Sequence, residues 1–245
     1  MNFSGKVVLV TGGASGIGEA TCKAFADAGA EVIVCDMNVA AGAAVADRLG
    51  PNARFEALDV TDRAACSALA ERLTAGPGRL DVLVNAAGWD IIQPFVDNEP
   101  SFWDKVVAIN YIGPVQLTRA LLPLLVASGS GRIVNVASDA GRVGSSGEAV
   151  YAGAKGGIIA FTKSLARELV RRNIRANCIC PGPTDTPLFN TQSDRIREAL
   201  TNAIPMKRVA KPAEIADGIL FFASDRSSFC TGQVLSISGG LTMVD

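Results

Sequence analysis

Seven short apolar runs, most of them rich in β-branched residues, recur along the chain at 7–10, 32–35, 54–58, 82–84, 132–137, 176–180 and 233–237. Longer alanine-rich stretches with helical spacing separate them, over 17–28, 64–73 and 102–126 and from about 148 to 171. Near-continuous apolar strands suit burial on both faces, and strands alternating with helices throughout predict a parallel sheet covered on both sides. The expectation is an α/β fold, a single doubly wound domain spanning 1–245 with a seven-stranded parallel sheet. No Pro/Gly/Ser linker, repeat or low-complexity tract divides it. Only 182–205 breaks the pattern: it is Pro/Thr/Asn-rich and then helical, as a substrate loop or lid would be.

Ligands of open α/β sheets bind outside the carboxyl ends of the strands. Here those ends deliver Thr11-Gly12, Asp36, Asp59, Asn85, Ser138 and Pro181-Gly182, a row of polar groups along one edge of an apolar sheet.

Composition narrows what that edge can do. The 245 residues are 49% hydrophobic and 19% charged, with 23 basic against 24 acidic side chains. Such a balance offers no field to attract nucleic acid or an anionic membrane. There is no histidine, which excludes Ser-His-Asp hydrolysis, papain-like chemistry and nearly every catalytic zinc site, so no metal is expected. The six cysteines form no C-x-x-C pair and mostly sit in apolar runs, as buried reduced thiols do. The start of the chain lacks the marks of a signal peptide, and no apolar stretch reaches the roughly 20 residues of a membrane span. A soluble, cytoplasmic protein is expected.

The first strand leads into Gly12-Gly13-Ala14-Ser15-Gly16-Ile17-Gly18 and then a helix. A glycine turn there lets a pyrophosphate approach backbone N–H groups at the positive end of a helix, and a Rossmann-type dinucleotide site follows. The spacing is G-x-x-x-G-x-G, not the general G-x-G-x-x-G. Asp36 ends the second strand, where a carboxylate accepts both adenosine ribose hydroxyls and repels a 2′-phosphate. Met37 follows, and no arginine stands beside it, so NAD is expected rather than NADP. Asp59 and Val60 are candidates for the adenine, with a helix cap as the alternative for Asp59.

Tyr151 and Lys155 are four apart on the last long helix and share a face. Ser138 ends the fifth strand, and Asn110 lies within the earlier helix. A secondary alcohol must lose its hydroxyl proton as hydride leaves the carbon. A free tyrosine is only about 0.1% phenolate at pH 7, and a neighbouring ammonium favours the phenolate. Tyr151 is then the base for oxidation and the acid for reduction, Ser138 orients the substrate oxygen, and Lys155 also holds the nicotinamide ribose.

The glycine turn, Asn85-Ala86-Ala87-Gly88, Asn110, Ser138, Tyr151-x-x-x-Lys155 and Pro181-Gly182-x-x-x-Thr186 together resemble the short-chain dehydrogenase/reductase family over essentially the whole chain. The resemblance implies an oxidoreductase acting on CH–OH groups. It carries a catalytic set of Asn110, Ser138, Tyr151 and Lys155, with Asn110 supporting a water that links Lys155 to solvent. It implies a dinucleotide held by Gly12, Ser15, Gly16, Ile17, Gly18, Asp36, Met37, Asp59, Val60, Asn85, Ala86, Ala87, Gly88, Tyr151, Lys155, Pro181, Gly182, Thr184 and Thr186. The family often has a second asparagine where this chain has Ala86. Homotetramers are common among its members, pairing the helices around 102–126 and 148–171.

Substrate contacts fall to Trp89, Asp90, Ser138, Arg142, Gly144 and Tyr151. The segments 88–91, 138–148, 180–186 and 231–235 are similar to those of members that oxidise a ring β-hydroxyacyl-CoA, 2-hydroxycyclohexanecarboxyl-CoA. Arg142, Lys207 and Arg208 are candidates to meet CoA phosphates. A simple cyclic or aryl secondary alcohol is an alternative substrate. So is a 3-oxoacyl carrier protein, which Asp36 disfavours because biosynthesis usually employs NADPH. A reading of another class, a non-catalytic NAD-binding regulator, could dispense with Tyr151 and Lys155, yet both are present.

Overall fold

A computed structural model describes residues 1–244. The strands are β1 (Val7–Thr11), β2 (Glu31–Asp36), β3 (Ala53–Ala57), β4 (Val82–Asn85), β5 (Arg132–Val136), β6 (Arg175–Pro181) and β7 (Val234–Ile237). The helices are α1 (Gly16–Asp27), α2 (Val39–Leu49), α3 (Arg63–Ala75), α4 (Pro100–Val107), α5 (Gly113–Ala127), α6 (Ala140–Val143), α7 (Ala149–Leu169), α8 (Pro187–Asn190), α9 (Asp194–Ala203) and α10 (Pro212–Ala223). All seven strands pair in parallel in the order β3-β2-β1-β4-β5-β6-β7, as a doubly wound Rossmann-type sheet requires.

Successive side chains of β1 point to opposite faces and seed two cores. Val8 and Val10 pack with Cys22 and Phe25 of α1, Val45 of α2 and Ile215 and Ile219 of α10. Val7 and Leu9 pack with Leu69 and Leu73 of α3, Leu117 and Leu121 of α5 and Ala166 of α7. Local signals set the helix ends. Asn38 accepts from the Ala41 N–H at 3.1 Å to start α2, Asp62 accepts from Ala64 and Ala65 to start α3, and Pro212 opens α10. The pattern did not single out α2 or α10. All six cysteines are unpaired, and five are buried.

One expectation needs correcting. The helix read as continuous over 102–126 is interrupted by a π turn at Ala108–Ile112, where the Gly113 N–H reaches back five residues to the Ala108 carbonyl. Pro114 has no N–H to offer the carbonyl of residue 110, so the regular hydrogen-bond ladder loses a rung at this point. Among the described residues no helix is long and apolar enough to cross a membrane.

Candidate active site

Sheet order reverses its direction of growth between β1 and β4, and the loops leaving these two strands separate to opposite faces. The crevice that results opens into a cleft of about 960 Å³ along the carboxyl edge. At one end lies the turn between β1 and α1. Gly12 has φ of +66°, and a β-carbon there would sit 2.9 Å from the Ala87 Cα. The turn is thus packed against the loop after β4, and only glycine fits without strain. Thr11 locks the arrangement, because its hydroxyl accepts from the N–H groups of both Ala86 and Ala87 at 3.1 Å.

Gly12, Ser15, Gly16, Ile17 and Gly18 line this end of the cleft, and Ser15 starts α1 without a side-chain cap. First-turn N–H groups of a helix lack intrahelical partners and carry partial positive charge, so the turn suits a pyrophosphate. Asp36 and Met37 also line it. The Asp36 carboxylate accepts from the Ala14 and Asn38 N–H groups at 3.0 and 2.9 Å, which fixes its position at the strand end. Asp59 and Val60 complete this wall. Asp59 accepts from Thr61, and Asp62 is the residue that caps α3. This chemistry fits a dinucleotide: glycine backbone for phosphates, a carboxylate for ribose hydroxyls, and Val60 and Leu58 for a flat apolar ring.

The other end holds Ser138, Tyr151 and Lys155, with Gly88, Trp89, Asp90, Gly144, Pro181, Gly182, Thr184 and Thr186 around them. Tyr151 lies in the first turn of α7, and Lys155 sits one turn further along the same face. A β-carbon on Gly141 would fall 2.7 Å from the Lys155 carbonyl carbon, so the chain after Ser138 lies flat on α7 and sets Ser138 beside Tyr151. Lys155 is buried, and its Nζ donates to the Val136 carbonyl at 2.9 Å. A β-carbon on Gly16 would come within 3.0 Å of the Thr186 side chain, so the segment after β6 closes over the glycine turn.

The protonation energetics differ from the expectation that Lys155 simply lowers the Tyr151 pKa. Burial, reinforced by the negative charges of Glu148 and Asp90, raises the phenol's pKa above its ordinary value, while its hydrogen bond with Ser138 acts the other way. Burial also lowers Lys155 to about 8, against the opposing pull of Cys178, Cys180 and Asp90. Desolvation thus acts on both members of the pair, and it weakens the ammonium that was to acidify the phenol. Asp90 is raised to about 7, first by burial and then by Glu148.

Three expected site residues do not line the cleft. Asn85 is buried behind the cleft wall, where its Nδ2 donates to Asn135 Oδ1 at 2.8 Å and Thr118 Oγ1 at 3.2 Å. Asn110 is wholly buried; its Oδ1 accepts from the Trp89 N–H at 3.3 Å, and its Nδ2 donates to the Trp89 carbonyl at 2.7 Å and the Val106 carbonyl at 2.9 Å. It pins the loop after β4. The Arg142 guanidinium is turned toward β7, donating to Ser236 Oγ at 2.9 Å and to the Val244 carbonyl at 2.8 Å. Sequence reasoning missed Thr11 as the clamp on Ala86 and Ala87, and Glu148 at the cleft wall. It also missed Leu188, Phe189 and Gln192, contributed to the wall by the segment over 182–205. Glu148 could have been found from its position three residues before Tyr151.

Comparison with known proteins points the same way. A family model described as enoyl-(acyl carrier protein) reductase matches residues 12–242. A 3-oxoacyl-(acyl-carrier-protein) reductase, FabG, of Thermotoga maritima is 41% identical over 246 residues, covering 99% of this chain and 100% of the relative. The protein of that name from Escherichia coli K12 is 36% identical over 247 residues, covering 100% of both chains. The one from Chlamydia muridarum is 38% identical over 240 residues, covering 96% and 97%. None of these three carries the name 2-hydroxycyclohexanecarboxyl-CoA dehydrogenase, to which segments such as 138–148 pointed.

Proposed function

Because this chain belongs to the short-chain dehydrogenase/reductase family and is an oxidoreductase of CH–OH and keto groups, we propose that it interconverts a 3-oxoacyl thioester and its 3-hydroxyacyl form with NAD(H). The observation that carries this reading is one continuous cleft, with Asp36 and the glycine turn at one end and Ser138, Tyr151 and Lys155 at the other. The names of the relatives support a ketone β to a thioester. A ring β-hydroxyacyl-CoA is a special case of that chemistry, and Trp89 and Val143 in the cleft wall favour it as the second reading.

When bound, the nicotinamide supplies or takes up the hydride and, in its oxidised form, adds a positive charge beside the phenol. In reduction, Tyr151 gives its hydroxyl proton to the oxygen of the former ketone as the hydride arrives at carbon; in oxidation it takes that proton back. Ser138 holds the same oxygen and orients it toward Tyr151. A phenol is protonated at neutral pH, the form that reduction requires, and burial of Tyr151 acts in the same direction. Lys155 steadies the phenolate and the ribose. Asp36 supports NAD over NADP by repelling a 2′-phosphate. A homotetramer and a cytoplasmic location belong to the same reading.

The test is a panel of linear and ring 3-oxoacyl thioesters, on CoA and on acyl carrier protein, assayed by absorbance with NADH and NADPH side by side. Turnover with NADH is expected, and Tyr151→Phe should lower it about 10²- to 10⁴-fold while dinucleotide binding persists. Full activity in Tyr151→Phe, or turnover of simple alcohols alone, would sink the reading.

A further inference from the structure

The loop after β4 and the turn before α7 meet where the Gln93 N–H donates to the Gly147 carbonyl at 3.0 Å. This contact brings the Asp90 and Glu148 side chains together at the cleft wall beside Tyr151. Asp90 is only 6% exposed, and neither of its carboxyl oxygens has a hydrogen-bond partner. Buried carboxyls are ordinarily bonded or paired with a cation. Neither nearby cation forms an ion pair with it: Lys155 donates to Val136 and acts on Asp90 only through its charge, and the Lys105 ammonium lies 3.7 Å over the Trp89 ring. Asp90 adds to the negative field that raises the Tyr151 pKa, but it neither gives nor takes the proton that Tyr151 moves. Burial and Glu148 raise Asp90 to about 7, so only part of its charge is present at neutral pH, but a crowded carboxyl pair with no cation bound to it at a substrate cleft still discriminates by repulsion.

We propose that Asp90 and Glu148 form an anionic wall that rejects a free carboxylate near the reacting ketone and so admits the neutral acyl ester or thioester while excluding the free 3-oxo acid. The inference rests on the reading of the substrate as a 3-oxoacyl thioester and names how that site tells it from its hydrolysis product. A 3-oxo acid and its methyl ester share the same ketone and differ in one methyl group and in the charge on the carboxyl oxygens, three bonds from the carbon that receives the hydride. With Tyr151 and Ser138 holding the ketone oxygen, that charge enters the same low-dielectric cleft as the two carboxyls. Like charges there interact far more strongly than in water.

The experiment measures binding of acetoacetate and of methyl acetoacetate by calorimetry to the enzyme–NAD⁺ complex, which cannot reduce the ketone, in the natural chain and in Asp90→Asn and Glu148→Gln. The natural chain should bind the ester at least about tenfold more tightly than the acid, and each variant should shift the acid-to-ester affinity ratio toward the acid by about tenfold. Glu148 is less buried than Asp90, so Glu148→Gln keeps the test decisive if Asp90→Asn does not fold. Equal binding of acid and ester by the natural chain, an unchanged ratio in the variants, or binding of neither probe overturns the proposal. Thioester turnover is read separately: its absence with a shifted ratio defeats the substrate reading alone, and its presence with an unshifted ratio defeats the anionic wall alone.

Discussion

Tyr151 and Lys155 show what spacing reveals and what it hides. A separation of four on a helix puts two side chains on one face, so their partnership is legible in the sequence. Their burial is not, because it depends on the loops after β4, β5 and β6 folding over them. That burial brings Lys155 down to about 8 from 10.5, so between these values the folded chain binds fewer protons at this site than the unfolded chain does. Stability therefore rises with pH through that window, and the penalty of burying the ammonium is present in full below pH 8. Lys155→Met removes the titration. Denaturant unfolding of the two proteins should show the natural chain gaining about 3 kcal/mol on the variant between pH 8 and 10.5. A difference that does not change with pH would mean that Lys155 titrates normally.

At the level of elements, the glycine turn was the most legible feature, since its position between a strand and a helix leaves few alternatives. Its partner loop was less so. The side-chain amides of Asn85 and Asn110 are committed to Asn135, Thr118 and the Trp89 backbone, and the motifs did not reveal these partners. A motif gives position along the chain; it does not give the rotation of a side chain about the strand or helix that carries it. The π turn was missed for a related reason, because the apolar pattern runs through it and a proline alone does not mark a break, as Pro123 inside α5 shows. The turn and loop act as one element, and Gly12→Ala tests this. An added β-carbon meets the Ala87 backbone at 2.9 Å and must also adopt positive φ. Stability should fall by about 1–3 kcal/mol, and affinity for the reduced dinucleotide by about tenfold, measured by unfolding and fluorescence titration. Gly50→Ala is the control, since φ there is +88° and the space is open. It should lose stability and leave affinity alone.

Across the whole molecule, the parallel sheet gives its two ends different work. The carboxyl ends of the strands supply the cleft, and the order β3-β2-β1-β4-β5-β6-β7 fixes where it opens. That much was legible from alternating strands and helices, because a parallel sheet collects every strand end of one polarity on one side. The amino ends hold the strands in register. Asp81, buried just before β4, accepts from the Val7 N–H at 2.9 Å and pairs with Lys6 and Arg79 at 3.1 and 3.4 Å, tying the start of β1 to β4. Asp81→Ala leaves the Val7 N–H buried without its acceptor, at a cost of about 2 kcal/mol by urea unfolding. The cleft lies a strand length away, and the ladder pairs from Val8 with Val82 to Thr11 with Asn85 are untouched. The KM for the dinucleotide should therefore stay within about twofold, the small effect expected of a site that shares no partner with the cofactor. A rise of an order of magnitude in KM, with the variant fully folded, would mean that the two ends of the sheet are not independent.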